Sequence, residues 1–444
     1  MLCGAFWVSF VEFFRAFRRF FWACLPKFVT PWSSRGEIQM AERINLGGTA
    51  TGPLQGVRVI DFTAVYSGPI AASILGDQGA QVIKIESAKG DLMRGGLPKS
   101  NGMPGPFAAM NRNKRSLCLD LQSPEGLEIA RKLIATADVV MENFRPGVMD
   151  RLGLGYDEFK AAQPKLVYAS INGVGATGPY AKRRVYDAVI QAISGFATLQ
   201  PNGDPAMVNN LVCDKITSLT AAEAIVAALF QAERSGKGQR VELSMLDASL
   251  FFLWPDTMPN YTLLDDGVET VPDGDHSMFM RKAKDGWIAA MPVQQAEIDG
   301  TFASLGLHDL IGDERFKDFE SRARNRETLN ELMNQGYSQL TTDTLCDRFE
   351  QNDVPYSRIN MRHEIPDDPQ VKAMQALWTY EHPRAGQIRS PRPPAQFSNT
   401  PSNIHAHTPS LGEHNGEILQ ELGFSQDEIE QLNQSSVIYS EPLS

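Results

Sequence analysis

The chain has 444 residues, of which 42% are hydrophobic and 21% charged, with five cysteines and a formal net charge of −11. That length provides for two or three domains, and the composition is that of an ordinary globular protein. The acidic balance argues against a general nucleic-acid binder, which carries a basic footprint, and the scattered cysteines form neither a disulfide framework nor a metal-ligand spacing, which fits a reduced, cytoplasmic setting.

Residues 1–39 are crowded with Phe and interrupted by Glu12, Arg15, Arg18, Arg19 and Lys27. Their uncharged runs fall short of the ~20 residues of a membrane span, and the basic residues follow the apolar stretch, where a secretory signal has them first. Two readings stand: an amphipathic surface or targeting helix, or upstream sequence with Met40 as the working start. The second is preferred because a domain pattern begins near Pro53, so 1–52 is set apart as an N-terminal extension.

From there strands alternate with helices. GVRVIDF (56–62) reads as a strand and SGPIAASILGDQGA as a helix opening at Gly68-Pro69. QVIKIE (81–86) is a strand, SPEGLEIARKLIATA (123–137) a helix, DVVMENF (138–144) a strand, GYDEFKAAQP a helix and KLVYASING (165–173) a strand. A long apolar helix runs from Thr217 to the Gly236-Lys237-Gly238 turn, and GQRVELSMLDASLFF (238–252) reads as strand then helix. This alternation implies a Rossmann-like α/β domain with a parallel sheet over 53–260. A smaller α+β domain follows over 275–375, and the segment 385–444 returns to the first.

Chemistry-bearing residues are few. GVGATG (173–178) matches a dinucleotide fingerprint, but Pro179-Tyr180 and a basic run follow where a helix must open, so a glycine loop is the better reading. All seven histidines lie at His276 or later, which excludes Ser-His or Cys-His chemistry within the α/β region. No metal-ligand spacing is present. Carboxylates remain: Asp61 at a strand end, Asp187 after a basic run, and Asp214 just before the long apolar helix. By itself Asp214 reads as a helix cap.

Seven segments in order carry a resemblance: GVRVIDFTAVYSGPIAASILGDQGAQVIKIE, NRNKRSLCLDL, ENFRPGVMDRLGLGYDEF, GVGATGPY, the Asp214-Lys215-Ile216-Thr217 segment, ERSGKGQRVELSMLDA and LGEHNGEILQELG. Together, over about 53–435, the chain resembles the class III (CaiB/BaiF-type) CoA-transferases, which include formyl-CoA transferase and crotonobetaine/carnitine CoA-transferases. The resemblance implies that Asp214 is the nucleophile. It implies coenzyme A or acyl-CoA as substrate, with no permanently bound cofactor and no metal, an acyl-CoA donor and a carboxylic acid acceptor. It also implies an interlocked homodimer. A CoA site falls on Asn143, Arg151, Arg184 and the backbone of Leu119, with Arg94, Lys114 and Arg115 as further phosphate candidates. Val65, Tyr66, Tyr186 and Asp187 are candidates for an acyl pocket, joined by Tyr180, Phe252 and Trp254. The chain departs from formyl-CoA transferase at Tyr66, where that enzyme has Gln, and at Ser87, where it has Arg. It also lacks a glycine-rich run between 260 and 285. The rival readings are an α-methylacyl-CoA racemase, whose Gly-His-Asp segment is Val185-Tyr186-Asp187 here, and a non-catalytic CoA-binding protein.

Overall fold

A computed structural model describes residues 42–199, 204–270 and 279–441. The sequence expectations for 1–39, and part of the stretch from 260 to 285, lie outside these.

Fourteen strands are assigned among the described residues: β1 (Glu42–Arg43), β2 (Arg58–Asp61), β3 (Gln81–Glu86), β4 (Lys99–Ser100), β5 (Met103–Pro104), β6 (Lys114–Cys118), β7 (Val139–Glu142), β8 (Val167–Asn172), β9 (Arg240–Ser244), β10 (Met280–Lys282), β11 (Trp287–Ala290), β12 (Tyr356–Arg358), β13 (Leu377–His382) and β14 (Gly386–Pro391). Six of them form one sheet in the order β6-β3-β2-β7-β8-β9, and every neighbouring pair in it is parallel. Counted by order of appearance this is 3-2-1-4-5-6, so the strand order reverses between β2 and β7. In open α/β sheets ligands gather beyond the carboxyl ends of the strands at such a switch point.

Parallel strands are covered on both faces, and the period of two sorts their residues accordingly. Ile60, Ile83, Leu117 and Val140 face one core, completed by Ile129, Leu133 and, from the end of the chain, Ile418, Leu419 and Ile438. Val59, Val82, Val139 and Val167 face the other, against Ala71 and Leu75 of helix α1 (Ser67–Asp77) and Ala221 and Ile225 of a later long helix. The helices that matter for the site are α1, α2 (Pro124–Ile134), α3 (Asp187–Ser194), α4 (Val212–Ser235) and α5 (Met245–Thr257).

A separate antiparallel sheet, β10-β11-β12, carries its own core of Ile288, Leu305, Tyr337, Leu345 and Phe349. The strands β13 and β14 form a hairpin joined in parallel by β1.

Several local expectations need correction. The long helix begins at Val212, five residues before Thr217. GYDEFKAAQP yields only the single turn Tyr156–Phe159. KRSLC, DAVIQAIS and the Pro-flanked LWTYEH…GQIRSP are regular elements: strand β6, helix α3 and the β13–β14 hairpin. Upstream of Pro53, Glu42–Arg43 pairs with Trp378 and Thr379 of β13.

Candidate active site

At the switch point β2 ends on Asp61 and the chain doubles back into α1. The turn is tight: a Cβ on Gly68 would lie 2.3 Å from the Thr63 Cβ, so only glycine fits there. Val65 sits at φ 76°, an outlier for a β-branched residue. Tyr66 is the N-cap residue of α1 but supplies no side-chain cap. The first N–H groups of α1, unpaired within any helix, are left for another acceptor.

That acceptor is Asp214. It is the third residue of α4 rather than its cap, which is Leu211, so its carboxylate is free to reach out. The hydroxyl and the backbone N–H of Ser67 donate to it and pull its pKa down. Burial, followed by the negative charge of Asp187, outweighs them and pushes the pKa up to about 6. The Asp214 N–H in turn donates to Asp187 Oδ2 at 3.0 Å. Asp187, the first residue of α3, therefore caps α4 from outside. Gln191, one turn on, donates to Asp187 Oδ1 at 2.6 Å and to the carbonyls of Val208 and Asn210, and accepts from the Val208 N–H. This fixes the approach to α4. Burial, and then the charge of Asp214, raise the pKa of the Tyr66 phenol, which keeps it a neutral neighbour of the carboxylate. Residues from the starts of three helices thus meet at one carboxylate, and no cation pairs with Asp187 or Asp214 among the described residues. At pKa about 6 Asp214 is about nine-tenths ionised at pH 7. It is a desolvated, incompletely neutralised anion, which is what a carboxylate nucleophile requires.

Beneath the turn lies a contrasting network. Lys84 and Lys114 have side chains with 0% exposure, Lys84 pairing Asp91 at 3.0 Å and Lys114 pairing Asp61 at 3.0 Å. Lys114 also donates to the Pro69 carbonyl and Asn111. Lys114 is thus engaged inside the protein, and Arg115 pairs with Glu417 and Glu421. Lys84, the lysine within the strand QVIKIE, is fully buried.

The other sequence candidates fall as follows. Asn143 clasps Ala64, accepting its N–H at 2.9 Å and donating to its carbonyl at 2.8 Å. Arg94 forks onto Glu86, through Nε at 2.8 Å and Nη2 at 2.7 Å, reaches the Pro409 carbonyl and lies over Phe107. The Leu119 N–H donates to the Glu86 carbonyl. Arg151 and Arg184 are exposed and make no ion pair among the described residues. Tyr186 is the exposed N-cap residue of α3. Val65, Tyr66, Asp187 and Asp214 are therefore gathered around one turn, while no hydrogen bond or ion pair among the described residues links Arg151 or Arg184 to it. Tyr180 is covered by Arg183, and Phe252 stacks on Phe196. Ser67 and Asp91 were not singled out by sequence; Ser-Gly-Pro after a strand is the signal for a helix start with donors to spare. No group of His, Cys, Asp or Glu among the described residues is arranged to hold a metal, and none of their helices is long and apolar enough to cross a membrane.

The family model described as CoA-transferase family III matches residues 54–415. An acyl-CoA transferase of Fusarium pseudograminearum is 32% identical over 92% of this chain and 94% of its own length. The human succinyl-CoA:glutarate CoA-transferase is 32% identical over 83% of this chain and 86% of its own. Among solved structures, a CaiB/BaiF family protein from Brucella suis superposes with a TM-score of 0.73 at 32% identity, covering 84% of this chain and all of that one (100%).

Proposed function

The chain belongs to CoA-transferase family III, and on that premise we propose that it transfers CoA from an acyl-CoA thioester to a free carboxylic acid through covalent intermediates on Asp214. In the first step an Asp214 oxygen attacks the thioester carbonyl, the C–S bond breaks, and a mixed anhydride and CoA thiolate form. The thiolate attacks the aspartyl carbonyl, the donor leaves as its carboxylate, and an aspartyl-CoA thioester remains. The acceptor carboxylate attacks that thioester and releases thiolate again. Thiolate attack on the acceptor's acyl carbon then yields the new acyl-CoA and restores Asp214. Each step exchanges one acyl bond for another, so the thioester energy is retained while water stays out. Coenzyme A is substrate throughout, and no resident cofactor enters the scheme.

The observation that carries this reading is the buried Asp214 carboxylate with Ser67 as its hydrogen-bond donor and no cation paired with it among the described residues. A helix start of this kind also stabilises the oxyanions that appear on the attacked carbonyls. The exposed guanidinium groups of Arg151 and Arg184 suit the phosphates of CoA. The same reading takes 53–260 with 385–444 as the CoA-binding domain, 275–375 as the smaller domain, a cytoplasmic setting, and a homodimer. Exposed Phe230, Phe251 and Phe252 on α4 and α5 support the dimer.

The test is peptide mass spectrometry after incubation with acyl-CoAs and quenching with hydroxylamine, beginning with succinyl-CoA, the donor in the human relative's name. A hydroxamate at Asp214 is expected. Measured acyl-CoA binding with no hydroxamate from any donor would instead favour proton chemistry or a binding role.

A further inference from the structure

Among the described residues, the backbone between Thr63 and Val65 makes no bond to other backbone. Side chains take its polar groups in succession. Asp61 accepts the Thr63 N–H at 2.9 Å and Lys84 donates to the Thr63 carbonyl at 2.7 Å. Asn143 takes both groups of Ala64, at 2.9 and 2.8 Å. The Asp91 carboxylate accepts the Val65 N–H at 3.2 and 3.3 Å. Asp91 is itself fixed by the Met93 N–H at 2.9 Å and by its ion pair with Lys84, and its own N–H donates to Glu86. A β-branched residue at φ 76° persists only where its surroundings overdetermine it. Here the clamp closes on that residue, one position before Tyr66 and two before Ser67.

We propose that Asp91 is a positioning residue for the transfer reaction: by holding the Val65 N–H it fixes the strained turn that presents Ser67 and Tyr66 to Asp214. The inference rests on Asp214 being the nucleophile. Asp91 touches no reacting atom. It acts through Val65, and Lys84 ties it to the Thr63 carbonyl at the other end of the turn. When the clamp is weakened, Val65 relaxes toward negative φ, the Ser67 N–H swings off the carboxylate, and two effects follow. The attack geometry is lost, which costs rate steeply for small displacements. The hydrogen bonds that hold the Asp214 pKa down are lost as well. Asp187, Tyr66 and Cys213 are the titratable groups that face Asp214; Asp187 and Cys213 lie outside the turn, and Tyr66 moves with it.

The experiment compares wild type, Asp91→Asn and a control, Asp77→Asn. Asn keeps the volume of Asp91 but replaces one carboxylate oxygen by an NH2 group and removes the charge, so the hold on the Val65 N–H weakens and the Lys84 ion pair is lost. Asp77 is the last residue of α1 and pairs with Arg112 at 2.6 Å, about 15 Å from Ser67 along the helix. Time courses of hydroxamate formation at Asp214, the kcat and KM for acyl-CoA, and pH–rate profiles are read for each. For Asp91→Asn the expected result is adduct formation slowed about tenfold, KM within about twofold of wild type, and an acidic limb moved up by about half a pH unit. Asp77→Asn is expected to lose stability without moving the limb. A wild-type rate and limb in Asp91→Asn would overturn the proposal, as would equal limb shifts in both variants, which would mark a general loss of packing. Absence of the hydroxamate in wild type would instead remove the Asp214 reading itself, and this inference with it.

Discussion

Two groups of buried carboxylates flank the same β2–α1 turn, and the protein treats them in opposite ways. Below the turn, Asp61 is fully buried, and burial alone would raise its pKa; the ammonium groups of Lys114 and Lys84 outweigh that and hold it below the usual range. Glu86 is likewise held down, against burial, by Arg94 and Lys84. Above the turn, Asp214 and Asp187 have each other and no paired cation among the described residues, and burial, followed by the charge of Asp187, drives the Asp214 pKa up to about 6. The cations divide their labour unequally too. Lys84 faces Asp61, Asp91 and Glu86 and keeps its proton more firmly than a free lysine. Lys114, desolvated and set beside Lys84, has only Asp61 as a directly paired anion and drops to about 8. Paired charge makes a rigid floor, and unpaired charge is kept for the position where an anion has to react.

Breaking the reactive half gives the largest expected effect. Asp214→Ala removes the nucleophile, and transfer falls by about three orders of magnitude or more, measured as acyl exchange between succinyl-CoA and labelled acids. Its oligomeric state by light scattering stays that of wild type. Breaking the floor comes next. Lys84→Met leaves Asp61 and Asp91 without a shared cation, and a buried pair that loses one partner costs about 3–5 kcal/mol. Urea unfolding at pH 7 checks this.

The two halves are sharpened by a variant with the opposite sign. Asp214→Asn abolishes transfer yet stabilises the protein by about 1–3 kcal/mol at pH 7. The folded-state pKa of about 6 lies above the ordinary 3.8, so the folded protein binds this proton more tightly than the unfolded chain does. The penalty of ionising Asp214 is therefore full above about pH 6, shrinks as pH falls between the two values, and is absent below them. The stability difference between wild type and variant, followed by urea midpoints, should fade toward pH 4. A difference that stays constant from pH 4 to 7 would mean that the carboxylate is not strained by its setting.

How much of this was legible in the sequence follows from the range of the interactions. QVIKIE is a strand over the expected residues because a short β-branched run is a local signal. KRSLC was not read as one, because its inward lysine looks like surface until Asp61, 53 residues away, is brought against it. The long helix was started late for a related reason. Leu211 and Val212 offer no cap, and the acceptor that satisfies the Asp214 N–H belongs to Asp187, 27 residues earlier. Ordered motifs pointed to Asp214 and to the family, whereas Ser67, Lys84 and Asp91 act through contacts that only the folded β2–α1 turn creates. Arg94 and Asn143 illustrate the converse: residue types suited to a phosphate or an amide ligand are engaged by Glu86 and Ala64.

That leaves the exposed arginines, where the expected effect is smallest. Arg151 closes the short helix Val148–Arg151, is solvent-exposed, and has no ion-pair partner among the described residues. A guanidinium in that state neither supports the fold nor touches the turn, so its loss should leave stability and turnover alone. If it meets a CoA phosphate, the contact is a charge-assisted hydrogen bond at a wet surface. It is then worth about 1 kcal/mol and present equally in the ground and transition states. Arg151→Ala is therefore expected to raise the KM for acyl-CoA about fivefold with kcat within about twofold of wild type. The ratio should shrink as ionic strength rises toward 1 M, where exposed charges are screened within about 3 Å. A fall in kcat at constant KM would tie Arg151 to the reacting centre and join the exposed surface to the unpaired half of the site.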